Sequence, residues 1–175
     1  MGYIIYRAAV RPVGVHMWEQ VAFCLFAANA PDLDFVPGLF GGDFASFHHG
    51  PSHSISFAIL FGCLVAIFSS ERKIYAFTVS SILYLSHVVL DYLVQDPSFP
   101  HGVPLVWPFS HEYYMAPFAF FPRFDYPITL THSVRVFFTF HNLLTIGTEI
   151  LFLLPLLILV SVWANRRGLD SKASR

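Results

Sequence analysis

The chain has 175 residues, 55% of them hydrophobic and 12% charged, with a formal net charge of -1. A soluble domain carries roughly 25% charged residues, and one of this length has too much surface to hide so much apolar area; a bilayer accepts it. The near-zero charge argues against a nucleic-acid partner and against a strongly charged docking surface, and the 20 phenylalanines suit lipid contact and an interfacial aromatic belt.

A membrane-spanning helix needs about 20 mostly apolar residues. In chain order, Val13–Ala30 is the first candidate, weakened by His16, Glu19 and Gln20 in its first turns. Arg7 and Arg11 follow the short apolar run at 3–6 instead of preceding one, so no cleavable signal peptide is expected. Ser54–Ser69 is short but uncharged, and Ile74–Val94 has ionisable groups only near its end. Val103–Tyr126 is rich in aromatics and carries Pro104, Pro108, Pro117 and Pro122, which argues against a regular spanning helix. It reads as an outer loop, either an aromatic anchor or the wall of a groove for a lipid-like substrate. Asn142–Ala164 is the clearest span, interrupted by Glu149 and Pro155. The expected fold is therefore an all-α integral membrane bundle with about four transmembrane helices. It forms a single domain over residues 1–168, with a disordered tail at 169–175. Cys24 and Cys63 lie in apolar stretches and read as buried free thiols. Nothing in the sequence sets an oligomeric state.

Four crossings put Arg7, Arg11, Arg72, Lys73, Arg166, Arg167, Lys172 and Arg175 on one side, against Arg123 and Arg135 on the other. The positive-inside rule then makes both termini cytoplasmic and places segments 31–53 and 95–136 outside.

Three short patches hold most of the acids and imidazoles: PDLD at 31–34, HHGPSHS at 48–54 and SHVVLD at 86–91. In this topology all three fall at the outer face. His87 and Asp91 are four apart and share a helix face. Asp32 and Asp34, two apart beside Pro31, point the same way if extended. His48 and His53 flank the Gly50-Pro51 turn, and Pro51 or Ser52 suits the start of the next helix. Isolated, each patch would read as a cap, a turn or a structural pair. Converging at one lipid face, where ionisable groups are costly, they point to a divalent metal, with imidazole and carboxylate suiting zinc and also manganese or iron. A bound metal can lower the pKa of water to about 7 and polarise an ester or phosphoester oxygen. A carboxylate not fully engaged, Asp34 or Asp91, would serve as general base, with Ser52 or Ser54 orienting a ligand. A serine nucleophile is disfavoured, since no Gly-x-Ser-x-Gly elbow is present. The rivals are a metal transporter or sensor, and a non-catalytic scaffold that uses metal for folding.

With GVPLVWP at 102–108, these patches resemble, in order and spacing, the membrane-bound metal-dependent hydrolases that include the LexA-regulated inner-membrane hydrolases of bacteria. The likeness covers about residues 20–110. It implies a helical membrane fold, an inner-membrane location, and Asp32, Asp34, His48, His53, His87 and Asp91 as metal ligands. By analogy it suggests a lipid or phosphoester substrate. His49 stands where the pattern often has Arg, and Ser52 where it has Thr. The early histidine of many members has no counterpart at the right face, because a helix over 16–32 would put His16 about 24 Å away. His101 or His111 could take that place; His132 and His141 read as interfacial. Glu149, a carboxylate inside a span, is a further candidate.

Overall fold

A computed structural model describes residues 1–2, 17–37, 48–69, 72–95, 101–118, 120–125, 135–136 and 138–173. His16, His132 and the start of the expected first span lie outside them. Four α-helices are present among these residues: α1 (Met17–Asn29), α2 (Ile55–Phe68), α3 (Lys73–Tyr92) and α4 (Phe140–Ala173).

α2 and α3 form a tight antiparallel hairpin, and α1 packs on α3. Small residues let the backbones approach, as is usual between helices in lipid. Cys24, Ala27 and Ala28 of α1 meet Val79 and Leu83 of α3, and Ala58 of α2 meets Tyr84 and Val88. Gly62 marks the closest approach. A Cβ there would collide with Ser81 Oγ and lie 2.8 Å from the Phe77 carbonyl oxygen. The hairpin helix α2 is bracketed by two non-glycine residues in the left-handed region, His49 (φ 59°) before it and Arg72 (φ 53°) after it.

Three expectations are corrected. Asp32 and Asp34 are not extended, because Ala30–Asp34 forms a 3-10 turn with Pro31 at its start, where proline's fixed φ suits a helical first turn. The cap of α2 is Ser54, not Pro51 or Ser52. Its hydroxyl accepts from the Phe57 amide at 3.3 Å and donates to the Pro51 carbonyl at 2.7 Å. Cys24 is buried as expected, but Cys63 is exposed.

Two helical stretches are long and apolar enough to cross a membrane, Lys73–Tyr92 and Phe140–Val160. α2, with 14 residues, is about 21 Å long at 1.5 Å per residue, short of a core of about 30 Å. α1 has 13 described residues. α4 runs from Phe140 to Ala173; a glycine inside a helix, here Gly168, costs about 1 kcal/mol and does not by itself end it. Among the described residues α4 packs chiefly against β2. That two-residue strand, Phe121–Pro122, pairs in parallel with β1 (Val94–Gln95) at the end of α3. This short pairing is a β element the all-α reading did not anticipate. It arises because the loop after α3 folds back on the helix end, where the Ala116 and Phe120 amides donate to the Tyr92 and Leu93 carbonyls.

The 103–118 loop is a brace. Val103 is fully buried, its amide and carbonyl bond Tyr114 at 2.9 Å each, and the Leu105 carbonyl accepts the Ile55 amide at 3.0 Å, tying the loop to the first residue of α2. Gly102 (φ 88°) starts the turn against the Tyr114 carbonyl, a backbone conformation and an approach that exclude a Cβ.

Gly62→Ala should destabilise the α2–α3 hairpin by about 1–3 kcal/mol through overpacking. Adding Ser81→Ala should recover part of that loss by removing one of the two clashing atoms. Thermal melting in detergent, followed by circular dichroism, measures both.

Candidate metal centre

Each patch reaches the site through a different local structure. The 3-10 turn carries Asp32 and Asp34 beyond the end of α1. A turn closed by the His53 amide on the Gly50 carbonyl at 3.0 Å holds His48 and His53 just before the cap of α2. His87 and Asp91 project from the last turns of α3.

The structure brings all six residues together. His87 Nε2 donates to Asp32 Oδ1 at 3.1 Å and stands 3.3 Å from Asp91 Oδ2. His53 Nε2 lies 3.2 Å from Asp91 Oδ2 and 3.8 Å from Asp32 Oδ1. On the other side, His48 Nδ1 donates to Asp34 Oδ1 at 3.3 Å and is 3.9 Å from Asp32 Oδ1. Four ligand atoms about 2.1 Å from a zinc ion stand roughly 3.4 Å apart at tetrahedral corners, so the spacing is that of a ligand shell. Asp32 belongs to two donor groups, one with His53 and His87 and one with Asp34 and His48. His49 joins His48 and His53 in a third.

The supporting contacts run through Ser52. Its hydroxyl donates to Asp34 Oδ2 at 2.9 Å and lies 3.1 Å from His53 Nδ1, while Tyr84 OH donates to the Ser52 carbonyl at 2.9 Å. Tyr84 was missed in the sequence. The signal was its position three residues before His87 and seven before Asp91, on the same helix face. Phe35 stacks on the His48 ring with centroids 4.1 Å apart.

Burial opposes every charge here, and the partners decide the outcome. Burial raises the Asp32 pKa, but hydrogen bonds from His53 and His87 outweigh it and lower the value to about 2. Asp34 is likewise held well below the usual carboxylate range, by His48 and His53 against burial. Burial favours neutral His53, yet hydrogen bonds to Asp32, Asp34 and Asp91 push its pKa up to about 11. For His48, burial prevails over the Asp34 contact and lowers the pKa, keeping its imidazole in the neutral form a metal needs.

A cation fits this donor set. His53 Nε2 and Asp91 Oδ2 are both buried, and neither makes an aligned hydrogen bond although they face each other at 3.2 Å. His101 and His111, the candidates for an extra ligand, fall in none of the donor groups among the described residues. His141 donates to the Arg123 carbonyl at 2.8 Å, away from the cluster.

A cavity of about 330 Å³ adjoins the cluster at Asp32, His87 and Asp91 and reaches Phe121, Glu149 and Leu153 on its far side. Glu149, singled out in the sequence as a carboxylate inside a span, borders this cavity.

The sequence profile of the YdjM inner membrane protein family matches residues 1–168. The chain belongs to that family. Membership in the YdjM family makes it an inner membrane protein, so the apolar residues that the protein leaves uncovered on α3 and α4 are lipid-facing. Of the apolar stretch in Phe140–Val160, 6% is buried by protein. The YdjM name states a location and no reaction. No curated protein and no solved structure matches the chain.

The pKa shifts define a pH window for the metal-free protein. The raised His53 value means its contribution to stability is complete below about pH 6.5 and is lost as pH rises towards about 11. The lowered Asp32 value means a contribution complete above about pH 3.9 and lost as pH falls towards about 2. Raising the pH from about 6.5 to about 9 should therefore lower the melting temperature of EDTA-treated wild type more than that of His53→Gln, read by circular dichroism in detergent.

Proposed function

We propose that this YdjM-family protein is a membrane-bound, metal-dependent hydrolase acting on an ester or phosphoester, with Asp32, Asp34, His48, His53, His87 and Asp91 as its metal ligands. The observation that carries the reading is the meeting of three carboxylates and three imidazoles from three separate segments, in groups whose ligand-capable atoms lie within 4.8 Å of one another, with the buried His53 Nε2 and Asp91 Oδ2 facing each other at 3.2 Å. Nitrogen and oxygen donors suit zinc, with manganese or iron as alternatives. Asp32 belongs to both the His53–His87 and the Asp34–His48 groups and would be a ligand whichever of them holds the metal.

When bound, such a metal supplies a water of lowered pKa and polarises the oxygen of the scissile bond. The protein's own residues do the rest. Ser52 holds Asp34 and His53 in orientation, and Tyr84 holds Ser52. Asp34 is pinned from two sides, whereas Asp91 borders the cavity, so Asp91 is the better placed of the two as general base.

A metal transporter using the same ligands would need a polar route across the membrane. Gln20 Oε1 and the Ser80 and Ser81 hydroxyls are buried without partners on the cytoplasmic side of the site in this topology. Fully buried Ala27 and Leu83 lie between them and the cluster along α1 and α3, which favours a hydrolase. The proposed topology keeps four crossings with a cytoplasmic C-terminus, α1 and α2 being the two that fall short of full span length; Met1 and Gly2 line the cavity with Asp32, His87 and Asp91, so the start of the chain lies at the site's end of α1 and not at its cytoplasmic end.

Elemental analysis of purified protein should show one or two divalent ions per wild-type chain and a loss of metal in His87→Ala and Asp34→Ala. Unchanged content in both variants would remove the reading. Stripping the metal should abolish hydrolysis with the helices intact; unfolding instead would mark a purely structural metal. A reporter enzyme fused after Arg175 should report a cytoplasmic C-terminus, and a periplasmic signal would invert the topology.

A further inference from the structure

The cavity beside the cluster has two unlike walls. One end is polar, with Asp32, His87 and Asp91. Leu90 of α3, Phe121 of β2 and Leu153 of α4 make an apolar side. Glu149 closes the far end, one helical turn from Leu153. It lies nine residues into α4, about 14 Å along the helix at 1.5 Å per residue. A carboxylate at that depth is costly unless it has a partner; Glu149 makes no hydrogen bond or salt bridge among the described residues, and it feels the Met1 ammonium, which lines the same cavity.

Size and setting restrict the occupant. About 330 Å³ is at the small end of ligand sites, which run to roughly 1,000 Å³. It holds about eleven water volumes at about 30 Å³ each, far less than a head group with two acyl chains fills. The far wall is a single helix whose outer residues Leu151 and Phe152 are uncovered by protein and so face lipid. Because α4 packs chiefly against β2, the cavity borders the bilayer across a thin partition, and a ligand partly dissolved in lipid can reach it laterally.

We propose that this cavity binds a single-chain amphiphile with a cationic, hydrogen-bond-donating head group, and that Glu149 selects that head group. The chain lies along Leu90, Phe121 and Leu153 and continues into lipid. The ammonium donates to the Glu149 carboxylate, and the ester or phosphoester rests at Asp32, His87 and Asp91. The placement of the scissile group rests on the hydrolase reading; the binding of the amphiphile does not.

The test uses full-length protein in phosphatidylcholine nanodiscs, with spin-labelled lysophosphatidylethanolamine and lysophosphatidylcholine as probes. The first has a donating ammonium and the second has none. Wild type should bind the ethanolamine probe saturably and about tenfold more tightly than the choline probe, the scale of one charge-assisted hydrogen bond. Glu149→Gln should lose that preference while keeping its metal content. Leu153→Trp, which fills the apolar side, should weaken both probes, with helicity checked by circular dichroism. Absence of saturable binding by wild type, or a preference unchanged in Glu149→Gln, overturns the proposal. Metal content, measured on the same samples, separates the two ideas. Wild type without metal that still discriminates between the probes sinks the hydrolase reading alone, and wild type with metal that binds neither probe sinks this inference alone.

Discussion

Mutual repulsion among three carboxylates is the constraint around which this protein is arranged. Asp32 and Asp34 offer oxygens within 4.8 Å of each other. At an effective dielectric of about 20, two unit charges at that distance repel by about 3 kcal/mol, and Asp91 adds a third charge. Their neighbours are what the repulsion requires: three imidazoles between the carboxylates, a serine hydroxyl on Asp34, and a tyrosine behind the serine. His53 illustrates the tension. Buried among three acids, it retains a proton it would otherwise release. In the proposed reading a divalent cation would replace this proton and draw on the same carboxylates as ligands.

The rest of the fold serves to hold these groups in place against that repulsion. The α2–α3 hairpin, closed around Gly62, fixes the distance between the turn bearing His53 and the helix end bearing His87 and Asp91. Packing of α1 on α3 sets where Asp32 and Asp34 emerge. The Gly102–Pro108 segment contributes no ligand; it buries Val103 in the core and bonds the first residue of α2. A stretch that reads as a motif beside metal ligands can thus be a structural clamp on the element that carries them.

How much was legible in the sequence follows from which forces act locally. Helix positions were readable because apolar runs and the Gly50-Pro51 turn are local signals, and α2 and α3 begin and end within two residues of the expected limits. The convergence of the three patches was readable because each lies at the same end of a helix once the chain alternates direction. The backbone of the PDLD patch was not, since Pro31 is compatible with an extended segment and with the first turn of a helix, and packing beyond α1 decides between them. Tyr84 was hidden because a tyrosine in an apolar helix resembles core until its hydroxyl's partner, a carbonyl 32 residues away, is known. Glu149 was noticed as an oddity, but its place on the cavity depends on the return of the outer loop through β2, which no local pattern encodes.

His49 and Arg72 give the hairpin a property that its buried contacts do not. Each takes a left-handed backbone that costs a residue with a side chain roughly 1–2 kcal/mol; His49 lies in the turn before the Ser54 cap of α2, and Arg72 is the N-cap of α3. Glycine or asparagine would enter either position at little cost, whereas valine, isoleucine or threonine would push the backbone back to a right-handed geometry. At position 49 that change would disturb the turn that carries His48 and His53 to the carboxylates. Tolerance to substitution at position 72 should therefore follow backbone handedness, whereas at position 49 the ring contacts with His48 and His53 add a demand on the side chain.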